Sequence, residues 1–196
     1  MVTRWFTSDT HYYHSNIIKY CDRPYANITE MNETLIHNYN DVVKDNDEVY
    51  HLGDFGFAEP GKLLEVVKRL KGKKYLILGN HDKNIRKKIE EMFQYYFEWI
   101  GDYLEITQQD STITGGKQKI ILCHYPILTW NKGHHGSWML HGHCHSNIDH
   151  LNKNTRRHDI GVDGNDYRPI CYDEVKVIMM NKNYEVVDHH GKDEDE

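Results

Sequence analysis

The sequence predicts a mixed α/β protein built on two β-sheets. Three observations carry that reading. Short apolar runs suited to buried strands alternate with helical patterns through the first half of the chain. Strand-like runs then dominate the second half. Five of the strand-like runs end at an Asp, Asn or His, an unusual regularity for connections that only need to turn.

Residues 4–8 read as a buried first strand. A helix follows from Ile28, with Asn27 as its N-cap and Glu30 placed to complete a capping box. Met31, Leu35, Tyr39, Val42 and Val43 recur at three- and four-residue spacing and form its apolar face. Residues 49–52 make a second strand. Pro60-Gly61 opens another helix, whose Leu63, Leu64, Val67 and Leu70 face inward. Residues 75–78 are a third strand, and 83–92 a charged surface helix. Residues 95–106 and 118–123 read as strands around a Thr114-Gly115-Gly116 turn, and 137–140 as a short strand. Residues 174–180 and 184–188 flank Asn181-Lys182-Asn183 as a hairpin. No internal repeat or Pro/Gly-rich linker interrupts the pattern, which gives one domain over residues 1–190 and a short acidic tail at 191–196.

A chain of 196 residues can bury one ordinary core. Lys plus Arg number 24 against 30 Asp plus Glu, a net charge of −6, of which −3 sits in the tail. A body at −3 has no global basic field, so nucleic acid is not indicated by net charge. Mean hydropathy is −0.79, and the longest apolar runs are far too short to cross a bilayer. With no signal-peptide pattern after Met1, the expectation is a cytoplasmic protein with no membrane partner. Cysteines 21, 123, 144 and 171 contain no CxxC pair and read as reduced thiols. The 15 His, clustered as His11/His14 and His141/His143/His145, leave a catalytic metal as the hypothesis to test.

The chemistry lies at the strand ends. Trp5-Phe6 leads to Asp9-Thr10-His11, and the second strand to Gly53-Asp54. The third leads to Gly79-Asn80-His81-Asp82, the next to His124, and the last to Gly142-His143-Cys144-His145. In α/β folds the carboxyl ends of strands line the crevice where ligands bind. Asp, Asn and His without thiolate suit Mn²⁺, Fe or Zn²⁺. Two residues apart, Asp9/His11 and His143/His145 point the same way in extended backbone. A carboxylate following Gly, as Asp54 does, can approach closely enough to bridge two ions, which about 3.5–4 Å apart would clamp a phosphoryl group.

These blocks resemble the signature of the calcineurin-like metallophosphoesterases: DxH, GD, GNH[DE], H and GHxH, in that order over residues 9–145. More narrowly, Phe6-Thr7-Ser8-Asp9-Thr10-His11, Asn16-Ile17-Ile18 and Arg23-Pro24-Tyr25 resemble small bacterial and phage phosphohydrolases. The resemblance implies two mixed β-sheets packed as a sandwich flanked by helices, in four layers. It implies one metal at Asp9, His11, Asp54 and His145, and a second at Asp54, Asn80, His124 and His143. The cofactors expected are two divalent ions, Mn²⁺ first, with Fe, Zn²⁺ or Ni²⁺ as alternatives. A hydroxide shared between them would attack phosphorus in line, His81 would aid the leaving group, and Asp82 would orient the His81 imidazole. The partner implied is a phosphate-ester substrate, possibly nucleotide-like. A phosphodiesterase is preferred, with a phosphomonoesterase or a nuclease guided by the patch at 68–74 as alternatives.

Other residues keep open readings. His14 lies one turn of chain from His11 and is weighed evenly between phosphate contact and solvent exposure. Arg23 could clamp a phosphate through its planar fork, or form a surface ion pair. His134 and His135 sit in a Gly-flanked stretch that could fold over the site. Cys123 and Cys144 read as packing residues pointing away from the ions, with a small zinc site of His143, Cys144 and His145 as the remote alternative.

Overall fold

The computed structural model describes residues 2–186. The elements in chain order are β1 (Arg4–Thr7), α1 (Ser15–Tyr20), α2 (Ile28–Val42), β2 (Glu48–His51), α3 (Pro60–Arg69), β3 (Lys73–Ile77) and α4 (Lys83–Arg86). They continue as β4 (Trp99–Gly101), β5 (Tyr103–Gln109), β6 (Lys117–Cys123), β7 (Trp138–His141), β8 (Arg157–Asp159), β9 (Ile170–Cys171) and α5 (Tyr172–Met180).

One sheet runs β4-β3-β2-β1-β9, parallel except for β9. The other runs β5-β6-β7-β8, antiparallel between β5 and β6 and parallel thereafter. Both sheets are therefore mixed, as the family resemblance implies. Alternation along the strands assigns the faces. Phe6, Tyr50 and Ile77 of the first sheet meet Ile120, Leu122, Trp138 and Leu140 of the second in one buried cluster. Their neighbours Val49 and Leu76 point the other way, into the apolar faces of α2 and α3 at Met31, Leu35, Leu63 and Val67. Each such fully buried side chain is worth about 1.5–3 kcal/mol. On the far side of the second sheet, Ile121 and Met139 are covered by the segment carrying Trp130.

Asn27 caps α2 as expected, its Oδ1 accepting from Glu30 N at 3.0 Å, while the Glu30 carboxylate accepts from Ala26 N at 2.7 Å. Three expectations are corrected. The strand expected over 95–106 is two strands in different sheets, because the chain leaves the first at Gly101 and enters the second at Tyr103. The helix expected over 83–92 is regular only to Arg86 and continues as turns. The strand expected over 174–180 is the helix α5. Glu174 at its third position accepts from Cys171 N at 2.8 Å, and Tyr172, Val175 and Met179 bury at helical spacing. The partner strand at 184–188 is irregular through Val186, and its remainder, with the acidic tail at 191–196, lies outside the described residues. Among the described residues no helix is long and apolar enough to cross a membrane.

Candidate metal centre

Parallel pairing aligns the strand ends. Thr7 pairs with His51 and His51 with Leu76; Leu122 pairs with Leu140, and His141 with Asp159. The loops that follow therefore emerge along one edge of each sheet. A bridge between Ser8 and Gly161 joins the two edges, with Val162 N donating to Ser8 O at 3.1 Å. Asp9 N donates to Gly53 O and His11 N to Asp54 O, each at 3.0 Å.

At that junction Asp9, His11 and His145 bring ligand atoms within 4.8 Å of one another, and so do Asp54, His124 and His143. Asp54 Oδ2 lies between the groups, 3.6 Å from His11 Nε2 and 3.5 Å from His124 Nε2. Asn80 Oδ1 is 3.2 Å from His124 Nε2. The seven residues named by the motifs thus converge. The local backbone differs from the extended form expected. Asp9, His11, Asp54, His143 and His145 all have φ between 47° and 71°, the left-handed region. Each costs of order 1 kcal/mol or more, a strain that clusters at functional sites. In this conformation His143 and His145 diverge, one to each group.

The arrangement fits metal cations. His11 Nε2 is buried and has no hydrogen-bond partner among the described residues. Burial first, then the positive neighbours His145 and Arg23, holds its imidazole far below the usual range, in the neutral state a metal requires. His124 Nδ1 lies 2.7 Å from Leu52 O and donates to it, which leaves Nε2 toward Asp54. Among the described residues Cys144 joins none of the ligand groups, the third of which is Cys21, His145 and Asp163, so the small zinc site does not form.

Asp82 does not orient the His81 ring. Its Oδ2 accepts from Asp54 N and Gly79 N at 2.8 Å, and its Oδ1 from Phe55 N at 2.9 Å. It ties the loop after β2 to the loop after β3. Burial, with the Asp54 charge, pushes its carboxyl up to about 7 against those three donors. His81 stands at the mouth instead: its N–H donates to Asp54 Oδ1 at 2.8 Å, and its ring is 37% exposed with Nε2 4.0 Å from Asp54 Oδ2. His14 is beside it, with Nδ1 3.3 Å from His11 Nδ1 and its ring against His11, His81 and Phe57.

Arg23 is not placed to clamp a phosphate. The residue is 4% exposed. Its Nε and Nη2 donate to the Asp163 carboxylate at 2.7 and 2.8 Å, and Nη1 and Nη2 to Thr10 O and Asp9 O. Asp163, which the sequence reading passed over, also accepts from His145 Nδ1 at 2.7 Å. The signal existed: Gly161-Val162-Asp163 follows a strand just as Gly53-Asp54 does, but three-residue β8 carries Arg157, His158 and Asp159 and shows no apolar run. The stretch around His134 and His135 precedes β7 and packs at the opposite strand ends, where Gln118 Nε2 donates to Gly136 O, so it does not cover the site.

Fold and site together define a metal-binding α/β sandwich whose ligand-bearing loops are those of a phosphoesterase. A family model, calcineurin-like phosphoesterase, matches residues 2–195. The chain belongs to that family, whose chemistry is metal-dependent hydrolysis of phosphate esters. It is 34% identical over 185 residues to the uncharacterized protein MJ1445 of Methanocaldococcus jannaschii, covering 91% of this chain and 92% of that one. It is 27% identical to the gene 66 protein of Mycobacterium phage L5, covering 99% and 98%. A solved structure, the protein of unknown function AQ665 from Aquifex aeolicus, superposes with a TM-score of 0.69 at 28% identity, covering 91% of this chain and all of that one.

Proposed function

We propose that the chain is a phosphodiesterase working with two divalent cations, Mn²⁺ first, held by Asp9, His11, Asp54 and His145 on one side and by Asp54, Asn80, His124 and His143 on the other. The carrying observation is Asp54 Oδ2, midway between His11 and His124 at 3.6 and 3.5 Å. Bound ions would polarise the phosphoryl oxygens and lower the pKa of water. The protein's own part is position and proton supply. His81, with its ring at the mouth and Nε2 4.0 Å from Asp54 Oδ2, would give a proton to the departing oxygen. His14 stands where it can donate to a phosphate oxygen.

The mouth favours diesters because it is open on both sides. Phe57 borders it beside His81, and the 45% exposed Tyr125 borders it against His124 and His143. A second ester arm therefore has room. The segment 68–74 runs from the end of α3 into the first two residues of β3, at the strand end away from this mouth, and Arg69 in it pairs with Glu33. That favours a small diester over a long nucleic-acid strand. The test is hydrolysis of bis-p-nitrophenyl phosphate against p-nitrophenyl phosphate by protein stripped with chelator and refilled with Mn²⁺. Diester turnover well above monoester turnover is expected, and His81→Ala should lower kcat about 10²–10⁴-fold while two metals remain bound. Faster monoester turnover would identify a phosphatase, and full activity in His81→Ala would remove His81 from the chemistry.

A further inference from the structure

Beside the His81 edge of the centre lies a cavity of about 430 Å³, within the roughly 300–1,000 Å³ range of small-ligand sites. Asn80 and His81 line it on the side of the centre, with Phe57, Glu59, Lys83 and Asn84 among the other lining residues. Phe57 is 57% exposed, yet its position is fixed on both sides. Its N–H donates to Tyr12 O at 2.7 Å, and Asn84 Nδ2 donates to the next carbonyl, Ala58 O, at 3.0 Å. The preceding Gly56 runs so close to Tyr12 that a Cβ there would lie 2.9 Å from Tyr12 O. An aromatic face is thus held open toward the cleft, with its ring centroid 5.0 Å from His14 and 5.8 Å from His81. His14 is in turn 5.2 Å from His11.

We propose that this cavity is a nucleobase subsite, so that the substrate is a nucleotide ester with its phosphate at the metal centre and its base stacked on Phe57. This rests on the phosphoesterase reading and adds the substrate class. An alkyl arm would cover Phe57 but make no use of the polar Glu59, Lys83 and Asn84 that line the same cavity. A base supplies a π-face for the ring and donor and acceptor edges for Asn84 and Lys83. The exposed Glu59 carboxylate, at the start of α3, is placed to accept from ribose hydroxyls. One ring, His14, lies between Phe57 and His11, so the sugar would join base to phosphate across the His14 edge.

The experiment compares AMP with ribose 5-phosphate, which differ only in the base. Both are used as competitors of bis-p-nitrophenyl phosphate hydrolysis, and both are titrated calorimetrically into the Mn²⁺-loaded protein. Stacking predicts AMP binding about tenfold tighter than ribose 5-phosphate. That ratio should collapse toward one in Phe57→Ala and return in Phe57→Trp. Equal affinity of the two ligands for the wild type, with the diester still hydrolysed, overturns the subsite and leaves the phosphodiesterase standing. A protein that hydrolyses neither aryl ester but keeps the calorimetric preference overturns the esterase reading and retains the base site. A tenfold ratio that survives Phe57→Ala also overturns the subsite.

Discussion

His145 Nδ1 and the Asp163 carboxylate lie 2.7 Å apart, joining the third member of the Asp9–His11 group to a buried acid 18 residues later in the chain. Burial alone would lower the His145 pKa, but this hydrogen bond, one with Cys21 and the Asp9 charge outweigh it and push it up to about 10, so a metal binding there must displace the Nε2 proton. Donation from Nδ1 fixes the ring and leaves Nε2 as the ligand atom. Asp163→Asn should therefore weaken metal binding about 10–100-fold. Competition with a chelating dye reads this directly, and an unchanged affinity would show that Asp163 merely packs.

Arg23 supports the same acid. Arg23→Ala removes the guanidinium from a carboxylate that is almost fully buried and from Thr10 O and Asp9 O. Breaking one partner of such a pair costs about 3–5 kcal/mol. Urea unfolding of the chelated protein should show a loss of that order. A loss under about 1 kcal/mol would place Arg23 among ordinary surface ion pairs.

Asp82→Ala would leave the N–H groups of Gly79, Asp54 and Phe55 buried without an acceptor. At about 1–3 kcal/mol for each, a destabilisation of at least about 3 kcal/mol is expected, smaller in Asp82→Asn, which keeps an acceptor oxygen. Unaltered stability combined with a displaced pH profile of activity would restore Asp82 as the partner of His81.

Gly142 runs against the first loop: a Cβ there would overlap Ser8 Oγ and Asp9 Oδ2. The Asp9 carboxylate also accepts from His143 N at 2.9 Å, so pushing it aside disturbs both loops. Gly142→Ala should lower stability by about 1–3 kcal/mol and cut the metal retained after dialysis. Full metal content, measured by atomic absorption, would count against this crowding.

Away from the site, the Arg168 hydrogen bond holds Glu174 down to about 2, aided by Cys171 N–H and opposed by burial. A depressed carboxyl contributes its full stability above the unfolded value of 4.5 and loses it as pH falls toward 2. Glu174→Gln should cost roughly 1 kcal/mol at pH 7. Its deficit in Tm should then shrink between pH 4.5 and 2.5. A deficit that stays constant across that range would mean the carboxylate charge contributes nothing.

The site was legible because its residues are carried by short local blocks. An apolar run ending in a ligand-type side chain can be read without knowing the partner strand; Asp9 and His124 have that form directly, and Asp54, Asn80 and His143 have it with a Gly between. Residues whose work depends on a distant partner were misread. The sequence offers Arg23 a phosphate or a surface ion pair but not its buried partner, because Asp163 lies 140 positions away, and it pairs Asp82 with His81 because the two are adjacent in sequence. The run 174–180 is rich in Val, Ile and Met, so its composition favoured a strand. Its cap at Cys171 and Glu174, and the slot between the sheets that accepts Val175 and Met179, made it a helix.

By itself the sequence determined the two-sheet class, the helices α2 and α3, and the set of side chains able to hold metal, because periodicity and strand-end chemistry are local properties. Only the tertiary structure decided how those side chains divide. Left-handed backbone at His143 and His145 sends neighbours two apart to different groups, and parallel register within each sheet brings five loops to two edges that the Ser8–Gly161 bridge joins. It also decided that Arg23 and Asp163 stand behind His145. A buried guanidinium needs a carboxylate and carbonyls in fixed positions around it, and those positions exist only once both sheets have packed.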